Sequence, residues 1–305
     1  MHSKLGSVIH KQAFPRMRSV VNAALAVVAL CWCSAAPAES PPSVRWIVFD
    51  FPPFFIEHGP AKGQGIYDRF LNDLKTELPG FDHRLEPGSP NRGEALMKRG
   101  EPVCAISRIR TTEREAYSLF ADHPYLYILP VELVAGENAQ GTLSDYVEDG
   151  RLSLTRVLQA DAVRIGVIEN RRFGQPLDSL IEGALDRHAP SIVSWPADSP
   201  SFDALKLITS GRFDAAFVYP SELSTIAGSH RQTRFATYLL REMPSLVPAS
   251  VSCTHSAVGR AVIAAVDKLP RNRKSVRNLQ AAYEALLPSD ARDTYRRLLA
   301  RELQK

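Results

Sequence analysis

The sequence predicts an α/β fold of two lobes with a ligand cleft between them, and three observations carry that expectation. Apolar, strand-like runs alternate with helical patterns of about ten to fifteen residues, which is the pattern of parallel sheets covered by helices. The alternation occurs twice: MKRGEPVCAIS at 97–107 and ITSGRFDAAFV at 208–218 fall at matching places in two strand–helix series. The end of the chain then abandons strands for three helical patterns, at 257–269, 275–287 and 290–303. Two lobes of related construction leave a cleft between them, where ligands prefer to sit.

Each element has a local reason. Residues 44–51, VRWIVFDF, are rich in β-branched and aromatic side chains and are stopped by Pro52-Pro53. Gly63-Gln64-Gly65 opens a helix that carries Ile66, Phe70, Leu71, Leu74 and Leu78 at helical spacing and ends at Pro79-Gly80. Ser89-Pro90 reads as an N-cap followed by proline at the first helical position, and that helix stops at Gly100. Pro102 to Ser107 is the next strand. Thr112 with Glu115 reads as a capping box for the following helix. Arg114 lies in the first turn of that helix, where partial positive charge already gathers, so a cation there calls for an anion. Leu126 to Ala135 is extended. The second series runs through a strand at Val163–Ile168, a helix at 174–188 and a strand at Ile192–Trp195. A helix from Phe202 to Ser210 closing at Gly211 and a strand at Phe213–Val218 complete it. In the tail, Val258, Ala261, Val262, Ala265 and Val266 form one apolar face.

The 305 residues suit about two domains, and 45% hydrophobic with 23% charged residues excludes a disordered chain. The first 38 residues have the layout of a secretory leader. Arg16 and Arg18 precede the apolar run Val20–Cys33, and Ser34-Ala35-Ala36-Pro37-Ala38 offers a small-residue cleavage site after Ala38. That run is shorter than the roughly 20 residues a membrane span needs. Met17 would make a cleaner start than Met1. The formal charge of +4 belongs to the leader: without Lys4, Lys11, Arg16 and Arg18, the 37 basic residues fall to 33 against 33 acidic ones. The mature balance gives no reason to expect nucleic acid or an anionic membrane as partner. Cys104 and Cys253 are the cysteines outside the leader. An exported chain with two cysteines is expected to pair them, the alternative being two separately buried thiols. His58, His83, His123, His188, His230 and His255 are scattered without metal-ligand spacing, and neither a metal nor a cofactor is expected.

Several blocks, in order, are similar to the type 2 periplasmic solute-binding proteins of extracellular solute-binding family 3. They are FDFPPF at 49–54, GQGIYDRFLNDL at 63–74, RTTERE with FADHPY, VRIGVIENRRFGQ at 163–175 and SGRFDAAFVYPSEL at 210–223. The resemblance spans roughly 45–303. It implies a discontinuous first lobe (39–132 plus 246–305), an inserted second lobe (133–245) and two crossing strands, at Leu126–Ala135 and Tyr238–Val247. It places Cys253 in the lobe of Cys104, and it implies hinge closure on a solute.

The resemblance also assigns candidate binding residues. Arg114 matches the arginine that forks onto a ligand carboxylate, a bidentate geometry that lysine does not offer. Ser107, Thr111 and Thr112 share its strand-to-helix turn, with Ser107 a hydroxyl donor and Thr112 more a cap than a contact. Phe51 stands where an aromatic stacks on the ligand, although core packing explains it equally well. Tyr219 stands where the family's ammonium-binding acid would be, with Glu222 nearby on the next helix. Arg171 and Arg172 replace a Gly-Thr turn. Together these changes point to a small anionic or carboxylate-bearing solute rather than an ordinary amino acid. The expected protein is a periplasmic, monomeric, non-catalytic receptor feeding an ABC-type importer. A sensor that signals through a partner is the alternative, and a dehydratase-like enzyme on the same scaffold is a third reading.

Overall fold

The structure, a computed structural model, describes residues 40–106, 108–169, 171–195, 202–226 and 234–304. The expected leader and its cleavage site lie outside the described residues. The chain begins with β1 (Ser43–Val48), α1 (Ile66–Glu77), β2 (Asp82–Pro87) and α2 (Pro90–Lys98). It continues through β3 (Val103–Ala105), α3 (Thr112–Glu115), β4 (Ser118–Phe120) and β5 (Leu126–Ile128). Next come β6 (Glu132–Gly136), α4 (Glu137–Ser144), β7 (Val147–Glu148), β8 (Arg151–Leu152) and α5 (Leu154–Gln159). The second series is β9 (Ile165–Ile168), α6 (Leu177–Asp186), β10 (Ile192–Trp195), α7 (Phe202–Thr209), β11 (Ala215–Val218), α8 (Pro220–Ile226) and β12 (Phe235–Leu239). The last part is β13 (Val247–Ala249), β14 (Ser252–Thr254), α9 (Ala257–Val266), α10 (Lys274–Leu286) and α11 (Ser289–Glu302).

Two five-stranded sheets result, ordered β2-β1-β3-β14-β4 and β10-β9-β11-β6-β12. In each, three parallel strands are followed by an antiparallel one, β14 beside β3 and β6 beside β11. The internal similarity seen in the sequence therefore falls on β3 and β11, which hold equivalent central places. Gly100 and Gly211, which close the helices before these strands, both have φ of 72°, the left-handed conformation that glycine adopts without a Cβ penalty.

The sheets are joined by two segments that run side by side. β5 and β13 pair antiparallel, with Val247 opposite Ile128 and Ala249 opposite Leu126. The expected long crossing strands are thus divided. Residues 132–136 and 235–239 are strands of the second sheet, while β5 and β13 form a two-stranded pair of their own outside both five-stranded sheets. C-terminal helices brace this pair: the Tyr295 hydroxyl donates to Tyr127 O at 2.7 Å, and Leu129 N donates to the Tyr283 hydroxyl at 2.9 Å. Cys253 and Cys104 face each other on β14 and β3 and form a disulfide. No helix among the described residues is long and apolar enough to cross a membrane.

Glu132 begins β6 next to the crossing. Burial, with Asp290 of α11 adding to it and a Thr237 hydrogen bond opposing it, pushes its carboxyl from 4.5 up to about 7. The folded value lies above the unfolded one, so the stability this group contributes is complete below 4.5 and is lost as pH rises through 7. Glu132→Gln is therefore expected to lose less melting temperature than the parent between about pH 5 and about pH 8. Parallel thermal-denaturation profiles for the two proteins would contradict this account.

Candidate functional site

One wall of the site is aromatic, and local backbone rules place it. After β1 the chain turns back on itself, with Phe54 N donating to Phe51 O at 2.8 Å and Phe51 bridging Phe55. Gly65 must be glycine for α1 to start against this turn, because a Cβ there would stand 2.1 Å from the Phe54 carbonyl oxygen. The Asp68 carboxylate then accepts from Gly65 N and Ile56 N, both at 3.0 Å, tying helix to turn. The rings of Phe49, Phe51, Phe54 and Tyr67 follow one another, Phe51 stacking on Phe54 at 5.0 Å and Phe54 tilting onto Tyr67 at 4.9 Å. Burial pushes the Tyr67 hydroxyl up to about 12, so it stays a neutral phenol.

The next wall is cationic. Arg114 and Arg108 are 9% and 7% exposed, and both converge on Glu94 of α2. Arg108 Nη2 donates to both Glu94 oxygens at 3.0 Å, while Arg114 Nη2 stands 3.6 Å from Glu94 Oε2 and its Nη1 donates to Ile109 O at 3.0 Å. The Tyr117 hydroxyl also donates to Glu94. Burial alone would raise the Glu94 carboxyl, but the two guanidinium groups and Tyr117 outweigh it and hold it below the usual range. One carboxylate thus serves two buried guanidinium groups, and the Nε atoms of both arginines have no partner among the described residues. The N-terminal residues Ser89, Pro90 and Asn91 of the α2 region line the same cleft.

The opposite wall comes from the second sheet. Ile168, Glu169, Arg171, Arg172 and Tyr219 face the aromatic and cationic walls across a cleft of about 980 Å³, counting its solvent-open part. Arg171 Nη2 meets Glu222 Oε1 at 2.5 Å, and the other Glu222 oxygen accepts from Tyr219 N at 3.2 Å. Arg172 pairs with Glu182 at 3.1 Å and reaches Glu113 of α3 at 3.4 Å. Asp178 sets the approach to this wall by accepting from Phe173 N and Gly174 N. Burial pushes the Tyr219 hydroxyl well above its usual range, against the opposing pull of Arg171.

The structure therefore gathers Phe51, Arg114, Arg171, Arg172 and Tyr219 around one cleft. Thr111, which is buried, and Thr112, which is exposed, are not among the residues that line it, and Ser107 lies outside the described residues. Two local expectations are corrected. The helix cap is Thr111, not Thr112: Thr111 Oγ1 accepts from Arg114 N at 3.2 Å, and Thr112 is already helical. The helix it caps is one turn of four residues. A single turn aligns too few peptide dipoles for a large terminal charge, so the counter-charge at Arg114 comes from Glu94. The sequence reading missed Arg108 and Glu94. A usable signal existed, because a cation two positions beyond the apolar run Val103–Ile106 must be paired if the burial continues. Nothing local, however, named Glu94 as the partner.

The arrangement of two sheets, a paired crossing and an intervening cleft is shared with solved structures. An amino-acid ABC transporter substrate-binding protein, AbpA from Streptococcus pneumoniae bound to L-arginine, is similar over 82% of this chain and 97% of its own, with TM-score 0.56 and 18% identity. The chain has the two-lobed fold of type 2 periplasmic binding proteins. A putative L-cystine ABC transporter protein from Listeria monocytogenes shares this binding-protein fold at TM-score 0.57 and 14% identity, over 82% of this chain and 96% of that one. A histidine kinase sensor domain with similarity to periplasmic binding proteins has it too, at TM-score 0.56 and 15% identity, over 80% and 93%. No protein-family model matches the sequence, and neither does any curated protein. In binding-protein terms the cleft lies between the lobes and beside the crossing, since Ile128 of β5 and Ala249 of β13 line it together with residues of both sheets.

Proposed function

We infer that this is an exported, non-catalytic binding protein that captures a small carboxylate-bearing or otherwise anionic solute between its lobes and passes it to an ABC-type importer. The observation that carries the reading is the pair of buried arginines, Arg108 and Arg114, sharing one carboxylate at the wall of an aromatic-lined cleft. Such a pair leaves positive charge in a low-dielectric setting, where a ligand carboxylate is a strong, charge-assisted acceptor. The aromatic wall of Phe51, Phe54 and Tyr67 would take the apolar body of the solute. The phenols of Tyr67 and Tyr219 are held neutral and Glu94 is held ionised, which suits orientation of a ligand better than proton transfer at neutral pH.

In this reading the lobes are 39–132 plus 246–305 and 133–245, the protein acts as a monomer in the periplasm, and Ala38 ends the leader. The likeness to a sensor domain is as strong as that to importer receptors, so delivery of the signal to a membrane partner is the second reading.

Native mass spectrometry of gently purified protein, followed by thermal shift against organic carboxylates, amino acids and short peptides, tests the proposal. Carboxylates without an ammonium group are expected to raise Tm by mass action. Arg114→Ala is expected to weaken such a ligand by roughly 100-fold, the scale of a lost buried charge-assisted pair. The fold should survive, since Glu94 keeps both Arg108 hydrogen bonds. Unchanged affinity in Arg114→Ala, or binding confined to cationic solutes, would overturn the assignment.

A further inference from the structure

We propose that Arg171 is a tethered occupant of a cation receptacle built across the cleft, so that the site accepts solutes bearing an acceptor group and rejects those bearing a cation. The proposal deepens the solute-binding reading and rests on it for its consequence, while the receptacle itself can be tested independently.

The receptacle is made of three rings and one acid. The Arg171 guanidinium carbon stands 5.9 Å from the Phe51 ring centroid, 5.3 Å from Phe173 and 5.4 Å from Tyr219. Ring faces attract a cation at these distances, more strongly where water is excluded. Glu222, with 0% exposure, meets the same guanidinium at 2.5 Å. The four groups come from separate places: the turn after β1, the loop after β9, the end of β11 and the first turn of α8. Phe51 belongs to the first-sheet side and the other three to the second-sheet side, so the cation sits between the walls of the cleft. Three aromatic faces and a buried carboxylate converging on one point are what a cationic ligand group would need. Here the chain supplies that group itself.

Tethering decides the competition. A side chain on a short link acts at an effective concentration of millimolar or more, so a free ammonium or guanidinium at lower concentration does not displace it. A solute with its own cation would also face Arg171, Arg172, Arg108 and Arg114, four cations against Glu169, the single cleft-lining acid among the described residues, with Glu222 already paired, which is selection by repulsion. The Glu222 acid that could have served an ammonium group is present in the fold but engaged.

Emptying the receptacle tests this. Arg171→Ala leaves Glu222 buried without its cation, and the variant is expected to melt below the parent. Methylguanidine, a free copy of the missing head group, should then bind and raise the variant's Tm saturably, by roughly 3–6 °C at ten times its Kd. Urea, a neutral molecule of similar shape, should give no such rise at equal millimolar concentration. The parent, whose receptacle is filled, should not respond to methylguanidine, and Arg171→Ala combined with Glu222→Gln should lose the response. If Arg171→Ala does not fold, its refolding yield with and without methylguanidine gives the same reading, an increase being expected. No saturable response in the variant, or an equal response in the parent, overturns the proposal. The two readings fail separately: methylguanidine rescue without any carboxylate ligand leaves the receptacle standing, and carboxylate binding without rescue removes only the role of Arg171.

Discussion

Glu94→Ala is expected to destabilise the protein by about 3–5 kcal/mol, the cost of breaking a buried ion pair by removing one partner. The substitution leaves Arg108 and Arg114 facing each other with no carboxylate between them. Arg108 would keep its hydrogen bond to Ser118 Oγ at 2.9 Å, and Arg114 its bond to Ile109 O, but neither acceptor carries charge. Urea denaturation of parent and variant measures the difference. The effect has a pH signature. Because the Glu94 carboxyl is held below its ordinary value of 4.5, its contribution is present above 4.5 and is lost as pH falls through the lower, folded value. The variant should therefore approach the parent in acid and differ most near neutrality. Replacing Arg108 by Met in the Glu94→Ala background should cost less than the two changes separately, since it removes a cation that has lost its partner. A loss below about 1 kcal/mol for Glu94→Ala would show that water, rather than Glu94, carries the arginines.

Removing the disulfide is expected to cost about 4 kcal/mol, and Cys104→Ser with Cys253→Ser should lower Tm by roughly 10 °C. The two cysteines are separated by 149 positions, so the bond closes a long loop and removes much freedom from the unfolded chain. Every strand of the second sheet, from Glu132 to Leu239, lies within that loop in sequence. Both cysteines are also buried in the centre of the first sheet, where serine would place polar hydroxyls in apolar surroundings. Calorimetry with and without reductant offers a second measurement on the parent protein. Identical melting curves would mean that the sheet pairing of β3 and β14 already holds these residues without help from the bond.

Much of the fold was legible because it is written in local patterns. Ile192–Trp195 is a strand with the expected bounds, and the tail helices start and end within a few residues of expectation. Glycines at 100 and 211 end their helices because they alone enter the left-handed region cheaply. The short elements were less legible. β7 and β8 are two residues each, too short for a period to show, and the one-turn α3 carries a cap that two neighbouring threonines could equally supply.

The candidate site divides along the same line. Its place in a helix's first turn singled out Arg114, and the resemblance to solute-binding proteins singled out Phe51 and the Arg171-Arg172 pair. Whether those charges are free was settled by the fold alone. Arg171 is 51 positions from Glu222, and Arg108 is 14 from Glu94. An ion pair depends on a few ångströms of separation and on exclusion of water, and both are set by packing between elements. Residue types and spacings announce a cation; only the packed structure shows which acid neutralises it.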